Sequence, residues 1–328
     1  MKPRVFGFIA TVAVAILATS LGTEAQQAGK VYRIGVLLAA PVLRSPGMSG
    51  FREELRNLGY VEGQNLVLEY RSTDYDLGRL PRLAADLVDL KVDLIFAVAT
   101  GPAQAAKNAT TTIPIVFVAV NNPVNDGLVA SLGRPGGNVT GLTNAAPDLS
   151  GKRLELLKEI APRVSEITIL WNSVNRSIAR QVQETEAAAK KLRLQVQIAN
   201  MRGSDDLDRA LRTIPSGQRG ALVVLADIVT MGHRERIAEF AVSHRLPTIS
   251  EFDWFASAGG LMAYGPNVRW MVERAAIYVD KILKGAKPSE LPVEQPTKFQ
   301  LVLNAKTAKA LGLPVPPSLL LRADQILE

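Results

Sequence analysis

Short apolar runs of β-forming residues alternate with amphipathic helical segments in two successive rounds along this chain, a pattern that restricts it to parallel sheets covered by helices on both faces. The first round opens at Tyr32-Arg33-Ile34-Gly35-Val36-Leu37-Leu38, a run of the kind buried in a parallel sheet. Phe51, Leu55 and Leu58 then share one helical face, and Gly59 supplies a stop. Strands over 66–70, 94–98 and 115–118 alternate with helices over 80–90 and 103–109. The pattern restarts after Gly136-Gly137-Asn138-Val139-Thr140-Gly141, with helices over 152–160, 179–192, 207–214 and 234–244 and strands over 167–171, 195–198, 221–225 and 247–249. Short, right-handed connections make each round a doubly wound, Rossmann-like lobe.

The remaining elements cannot form a third lobe. A strand over 261–264, a long helix over 268–283, a strand over 298–303 and a short helix over 307–311 are stable only as additions to the existing sheets. The chain is therefore expected to cross between the lobes more than once, and multiple crossings make a hinge. The expected division gives residues 31–143 and 265–290 to lobe I and residues 144–264 and 291–328 to lobe II.

The N-terminus reads as an export signal. Lys2 and Arg4 supply a basic region, Val5 to Leu21 an apolar run, and Thr23-Glu24-Ala25 a small-residue boundary that places cleavage after Ala25; an uncleaved membrane anchor is the alternative for a run of that length. No later stretch approaches that length without a charge or a breaker. The chain contains no cysteine, which rules out disulfides, thiolate metal sites, a cysteine nucleophile and a lipid-bearing cysteine anchor. A freely diffusing, monomeric periplasmic protein is the expectation.

The formal net charge of +7 is spread along the chain, and the basic clusters Lys190-Lys191-Arg193 and His233-Arg234-Glu235-Arg236 lie in helical patterns. They read as solvated helix faces, and no nucleic-acid partner is expected. His233 and His244 are the only histidines; with no cysteine and no clustered carboxylates they form no recognisable metal site. Neither a Gly-x-Ser-x-Gly elbow nor a phosphate-binding Walker loop is present. A binding protein without cofactor, and not an enzyme, is the reading.

In doubly wound sheets ligands lie outside the carboxyl ends of the strands. In the first round that rule selects Ser45, Thr100 with Gly101, and Asn121 with Asn122. Thr100-Gly101-Pro102 at a helix entry exposes amides and a hydroxyl to an anionic group, and the same residues serve a plain N-cap. In the second round the rule selects Asn172 and Asn175, Asp227, Glu251, Phe252 and Tyr264. Asn172 and Asn175 suit either an Asx-turn or a ligand. Asp227 and Glu251 could face a cation, Asp227 equally a helix cap, while Phe252 and Tyr264 could cover an apolar ligand surface or simply fill core.

Several stretches together resemble a known family: Leu58-Gly59-Tyr60-Val61-Glu62-Gly63-Gln64-Asn65, Ala109-Thr110-Thr111-Thr112-Ile113-Pro114-Ile115-Val116-Phe117, Arg134-Pro135-Gly136-Gly137-Asn138-Val139-Thr140-Gly141, Leu149-Ser150-Gly151-Lys152-Arg153-Leu154, and Ala308-Lys309-Ala310-Leu311-Gly312-Leu313 with Pro316-Pro317-Ser318-Leu319. They resemble the substrate-binding proteins of ABC transporters whose better characterised members bind tryptophan and related amino acids. The resemblance implies the type I periplasmic-binding-protein fold, an α/β architecture of two lobes joined by three strands. It also implies capture of a small polar or amino-acid-like ligand, with an ABC permease and an ATPase subunit as partners. Where the family has an acidic residue in a Gly-Asp-Pro-Val-like pattern, this chain has Asn122 within Asn121-Asn122-Pro123-Val124, which removes one candidate for an ammonium group. A ligand-sensing module for a membrane receptor shares this description. Repressor lobes of the same fold would need a DNA-binding helix pair where the export signal stands.

Overall fold

The computed structural model of the chain describes residues 30–41, 46–144, 149–217 and 219–328. The export signal read at residues 1–25 and the candidate Ser45 lie outside the described residues. Within them the chain forms two sheets. The first contains β1 (Tyr32–Leu38), β2 (Leu66–Ser72), β3 (Leu94–Val98), β4 (Ile115–Val120) and β5 (Val139–Thr143) in the order β2-β1-β3-β4-β5. All its pairings are parallel. The second contains β6 (Glu166–Asn172), β7 (Gln195–Met201), β8 (Gly220–Val224), β9 (Thr248–Ser250), β10 (Met262–Pro266), β11 (Phe299–Asn304) and β12 (Gln325–Leu327). Its order is β12-β11-β10-β9-β8-β6-β7. The run β7-β6-β8-β9-β10 thus repeats the order of the first sheet, and β11, antiparallel to β10, and β12 extend one edge.

The helices follow from apolar spacing and caps. They are α1 (Pro46–Asn57), α2 (Leu80–Asp89) and α3 (Thr100–Ala109) in the first round, and α4 (Ser150–Ile160), α5 (Ala179–Lys191), α6 (Leu207–Arg212), α7 (Ile228–Gly232), α8 (Arg234–Ser243) and α9 (Asp253–Ser257) in the second. The closing stretch adds α10 (Val268–Leu283), α11 (Ala305–Ala310) and α12 (Pro317–Arg322). On α2, Leu80, Leu83, Ala84 and Leu87 are buried, the i, i+3, i+4, i+7 stripe of a helix lying on a sheet. Asn267 caps α10 by accepting from the Trp270 amide at 2.9 Å.

Each sheet has an apolar core on both faces. Ile34, Val36 and Leu38 of β1 join one cluster with Phe51, Phe96 and the α10 residues Met271, Ala275 and Val279; Leu37 joins the opposite cluster with Leu83, Leu87 and Phe117. The burial of α10 against the first sheet carries the chain back from β10, so the long helix belongs to lobe I. Residues 291–294, given to lobe II on sequence grounds, hydrogen-bond to lobe I: the Val293 amide donates to Leu132 O, and Glu294 exchanges backbone hydrogen bonds with Gly141 and Thr143. The third crossing therefore falls after Glu294.

The chain passes from one sheet to the other three times: after Asn144, at 266–268 and at 294–299. These crossings are tied laterally. Arg153, just after the first, donates through Nε to Tyr264 O at 2.8 Å, just before the second. Asn267 donates to Gln300 Oε1 at 3.0 Å, and Arg274 donates to both oxygens of Glu294 at 2.9 Å. Gly141 is required within β5, where the strand pairs with β4: its φ is +151° and a Cβ there would lie 2.0 Å from Phe117 O.

The structure lengthens several expected elements and adds short ones. Helix α3 starts at Thr100 rather than Ala103, and β5, α7, α9, α12 and β12 appear where no regular element was expected. Each of these five has no more than six residues, too few for a period to show in sequence; tertiary pairing makes them regular.

Candidate ligand-binding cleft

Segments beyond the carboxyl ends of strands in the two sheets meet one another, and the candidate cleft lies beside these contacts. Ser177, in the turn after β6, donates its hydroxyl to Asp126 Oδ1 in lobe I at 3.0 Å. Tyr75, after β2, lies against Gly232 of α7, where a Cβ would meet its ring at 3.3 Å.

On the second-lobe wall Asp227 organises the site. It ends the chain segment after β8 and caps α7 in a reciprocal capping box, its amide donating to Thr230 Oγ1 at 2.9 Å. Its Oδ1 accepts from the Val229 amide at 2.8 Å and from Asn172 Nδ2 at 3.0 Å, and its Oδ2 from Asn175 Nδ2 at 2.7 Å. Asn172, Asn175 and Asp227 are thus brought together as one unit, 9% of Asp227 remaining exposed. The Asx-turn role is also realised, since Asn175 Oδ1 accepts from the Ser177 amide at 3.2 Å.

Glu251 is placed differently from the expectation that it faces a cationic ligand group. It is 1% exposed, accepts from Gln181 Nε2 and from the Ala226 amide, and supports the charge of the fully buried Arg153. Burial holds the Arg153 pKa below its ordinary value, with Glu251 opposing that shift. A buried guanidinium needs such a partner, so Glu251 is turned inward to the hinge. Phe252, at the N-cap position of α9, is buried; Tyr264, half-buried on β10, packs near Phe299 at a centroid distance of 6.5 Å.

The first-lobe wall is made mostly of backbone. Thr100 and Gly101 open α3 with no side-chain cap, so the first-turn amides have no intrahelical acceptor. Ala99 before them has φ +77° and ψ 168°, a conformation favoured by glycine. Asn121 accepts from Asn144 Nδ2 and ties the ends of β4 and β5 together. Asn122 accepts the Asn125 amide at 3.3 Å and shapes the turn that carries Asp126. Asn144, Asp126, Ser177 and Tyr75 were not selected from sequence. Asn144 follows the unexpected strand β5, and the others lie beyond strand ends, where only the docking of the lobes brings them together.

The family described as ABC transporter substrate binding protein matches residues 34–327. This chain belongs to that family. A tyrosine-binding protein of Clostridioides difficile is 30% identical to this chain over 264 residues that cover 80% of this chain and 76% of that protein. Among solved structures, a domain of Streptococcus pneumoniae in complex with L-Trp matches 90% of this chain and 99% of its own with a TM-score of 0.84 at 26% identity. A ligand-free, open substrate-binding protein with adhesive properties from Clostridium difficile matches the same shares at 28% identity, with a TM-score of 0.69. These likenesses carry the periplasmic-binding-protein fold, two α/β lobes with parallel sheets, to this substrate-binding protein.

Proposed function

We propose that this protein captures an amino-acid-like zwitterion with an aromatic side chain outside the cytoplasmic membrane and delivers it to an ABC permease and its ATPase subunit. The observation that carries the reading is Asp227. It is a buried carboxylate at the cleft whose three hydrogen bonds come from neutral donors, and no ion pair of the described residues includes it. A buried anion gains from a cation that brings hydrogen bonds, and a ligand ammonium supplies both. The free amides at Thr100 and Gly101 suit the carboxylate of the same ligand, because donors and the helix dipole converge there. Asn121, Asn122, Asn172 and Asn175 add neutral polar edges, and Phe252 and Tyr264 supply apolar cover. The tyrosine and L-Trp ligands of the two relatives point to aromatic amino acids first.

No helix among the described residues is long and apolar enough to cross a membrane. Calorimetric titration with L-tyrosine, L-tryptophan, L-phenylalanine and a panel of sugars tests the reading. At least one aromatic amino acid should bind, and Asp227→Asn, which keeps the shape and removes the charge, should weaken that binding at least tenfold. Binding of sugars alone would overturn the ligand class.

A further inference from the structure

Asp126 and Ser177 meet across the cleft edge and have no place in the ligand contacts proposed above. Their hydrogen bond continues into the second-lobe wall. The Ser177 amide donates to Asn175 Oδ1 at 3.2 Å, and Asn175 Nδ2 donates to Asp227 Oδ2 at 2.7 Å. One path of hydrogen bonds therefore runs from a first-lobe carboxylate to the second-lobe carboxylate assigned to the ligand cation. Asp126 is incompletely satisfied: Oδ1 accepts from Ser177, whereas Oδ2 is buried with no hydrogen-bond partner. Burial raises the Asp126 pKa, and the hydrogen bonds from Ser177 and the Asn122 backbone only oppose that shift.

We propose that Asp126 and Ser177 form a latch that sets ligand affinity by controlling closure of the lobes. The proposal rests on the cleft reading of the preceding subsection. Closing buries a carboxylate with one oxygen unpartnered, which disfavours closure of the empty protein. Asp227 already holds the Asn175 turn that presents the Ser177 hydroxyl to Asp126, and a ligand bridging Asp227 and the first-lobe wall draws the two lobes to that contact. The hydrogen bond offsets part of the burial, so closure follows occupancy. The comparison of relatives supports a closed arrangement here: at nearly equal identity the chain matches the L-Trp complex with a TM-score of 0.84 and the open, ligand-free structure with 0.69.

Charged groups around the latch leave Asp126 without a cation. Lys107 of α3 donates to the backbone oxygens of Gly127 and Leu128, and Arg176 sits beside Ser177; neither forms an ion pair with Asp126. Protonation of Asp126 therefore favours the closed form. Closure is strongest below the ordinary aspartate range and weakens as pH rises through the raised pKa.

Stopped-flow binding of L-tyrosine and L-tryptophan, together with small-angle scattering of the ligand-free protein, tests the latch. Ser177→Ala strands Asp126 and should speed dissociation about tenfold with association little changed, as for loss of a hydrogen bond to a buried charge. Asp126→Asn keeps the acceptor for Ser177 and removes the charge. It should slow dissociation several-fold, compact the ligand-free protein, and flatten the change in dissociation rate that the unaltered protein shows between pH 4.5 and 7. Unaltered dissociation rates and an unaltered ligand-free radius in both variants would overturn the latch while leaving the cleft reading intact. Failure of the unaltered protein to bind any amino acid would overturn the cleft reading, and the ligand-free radius of Asp126→Asn would still decide the latch.

Discussion

The two lobes share one strand order and differ in what they bury. Lobe I is held by apolar stacking, typified by Phe51 on Phe96 at 4.2 Å and 8° with both rings fully buried. Its cleft wall is mostly backbone amides and asparagine turns. Lobe II buries Arg153, Glu251, Gln181, Asp227 and Asn172 beneath its wall, joined by hydrogen bonds and charge. Polar groups placed under a wall hold its side chains in one geometry, which under the proposed function makes lobe II the preorganised side of the site.

The largest effects should come from cutting each lobe at its own kind of support. Phe51→Ala removes a ring from a dry core and should cost about 4 kcal/mol, with hydrogen exchange rising first in the strands of lobe I. Arg153→Met leaves Glu251 buried without its positive neighbour and should cost about 3 kcal/mol. In that variant exchange should rise around β9 and β10, and Glu251→Gln added to it should restore part of the loss. Equal exchange in both lobes for either variant would remove the contrast between them.

Asn175→Ala should have a smaller effect, about 2 kcal/mol, because it removes one hydrogen bond to the Asp227 carboxylate and the cap on the Ser177 amide. Denaturant unfolding measures it, and amino-acid affinity should fall more than stability does.

The last effect is silent at neutral pH. Burial first, and then the neighbouring Glu294, raises the Tyr278 pKa to about 12; burial and Asp280 raise that of Tyr60 as well. A folded-state pKa above the unfolded value of about 10 favours the neutral phenol in the native state. The stability it contributes is whole below pH 10 and is lost as pH rises through the folded value. Both tyrosines lie in lobe I, so alkaline titration followed by hydrogen exchange should loosen lobe I before lobe II.

Much of this was legible in the chain. The run Tyr32–Leu38 reveals its burial because a strand covered on both faces is apolar at consecutive positions, and α2 because one residue in three to four must be apolar to cover a sheet. Thr100, Asn172 and Asp227 follow from the rule that loops after parallel strands converge. The inward turn of Glu251 was not legible, since its partners Arg153 and Gln181 stand 98 and 70 positions away. Nor was β5, whose five residues carry Gly141 at the point of closest approach to Phe117.

The sequence by itself determined two parallel α/β rounds, a shared tail and the strand ends at which a ligand would lie, because hydrophobic period and turn chemistry are local properties. Only the tertiary structure decided that residues 291–294 pair with the first sheet, that Glu251 supports the hinge rather than the cleft, and that Asp126 meets Ser177. Those outcomes depend on which distant groups satisfy one another's hydrogen bonds and charge once water is removed, and no local pattern encodes that pairing.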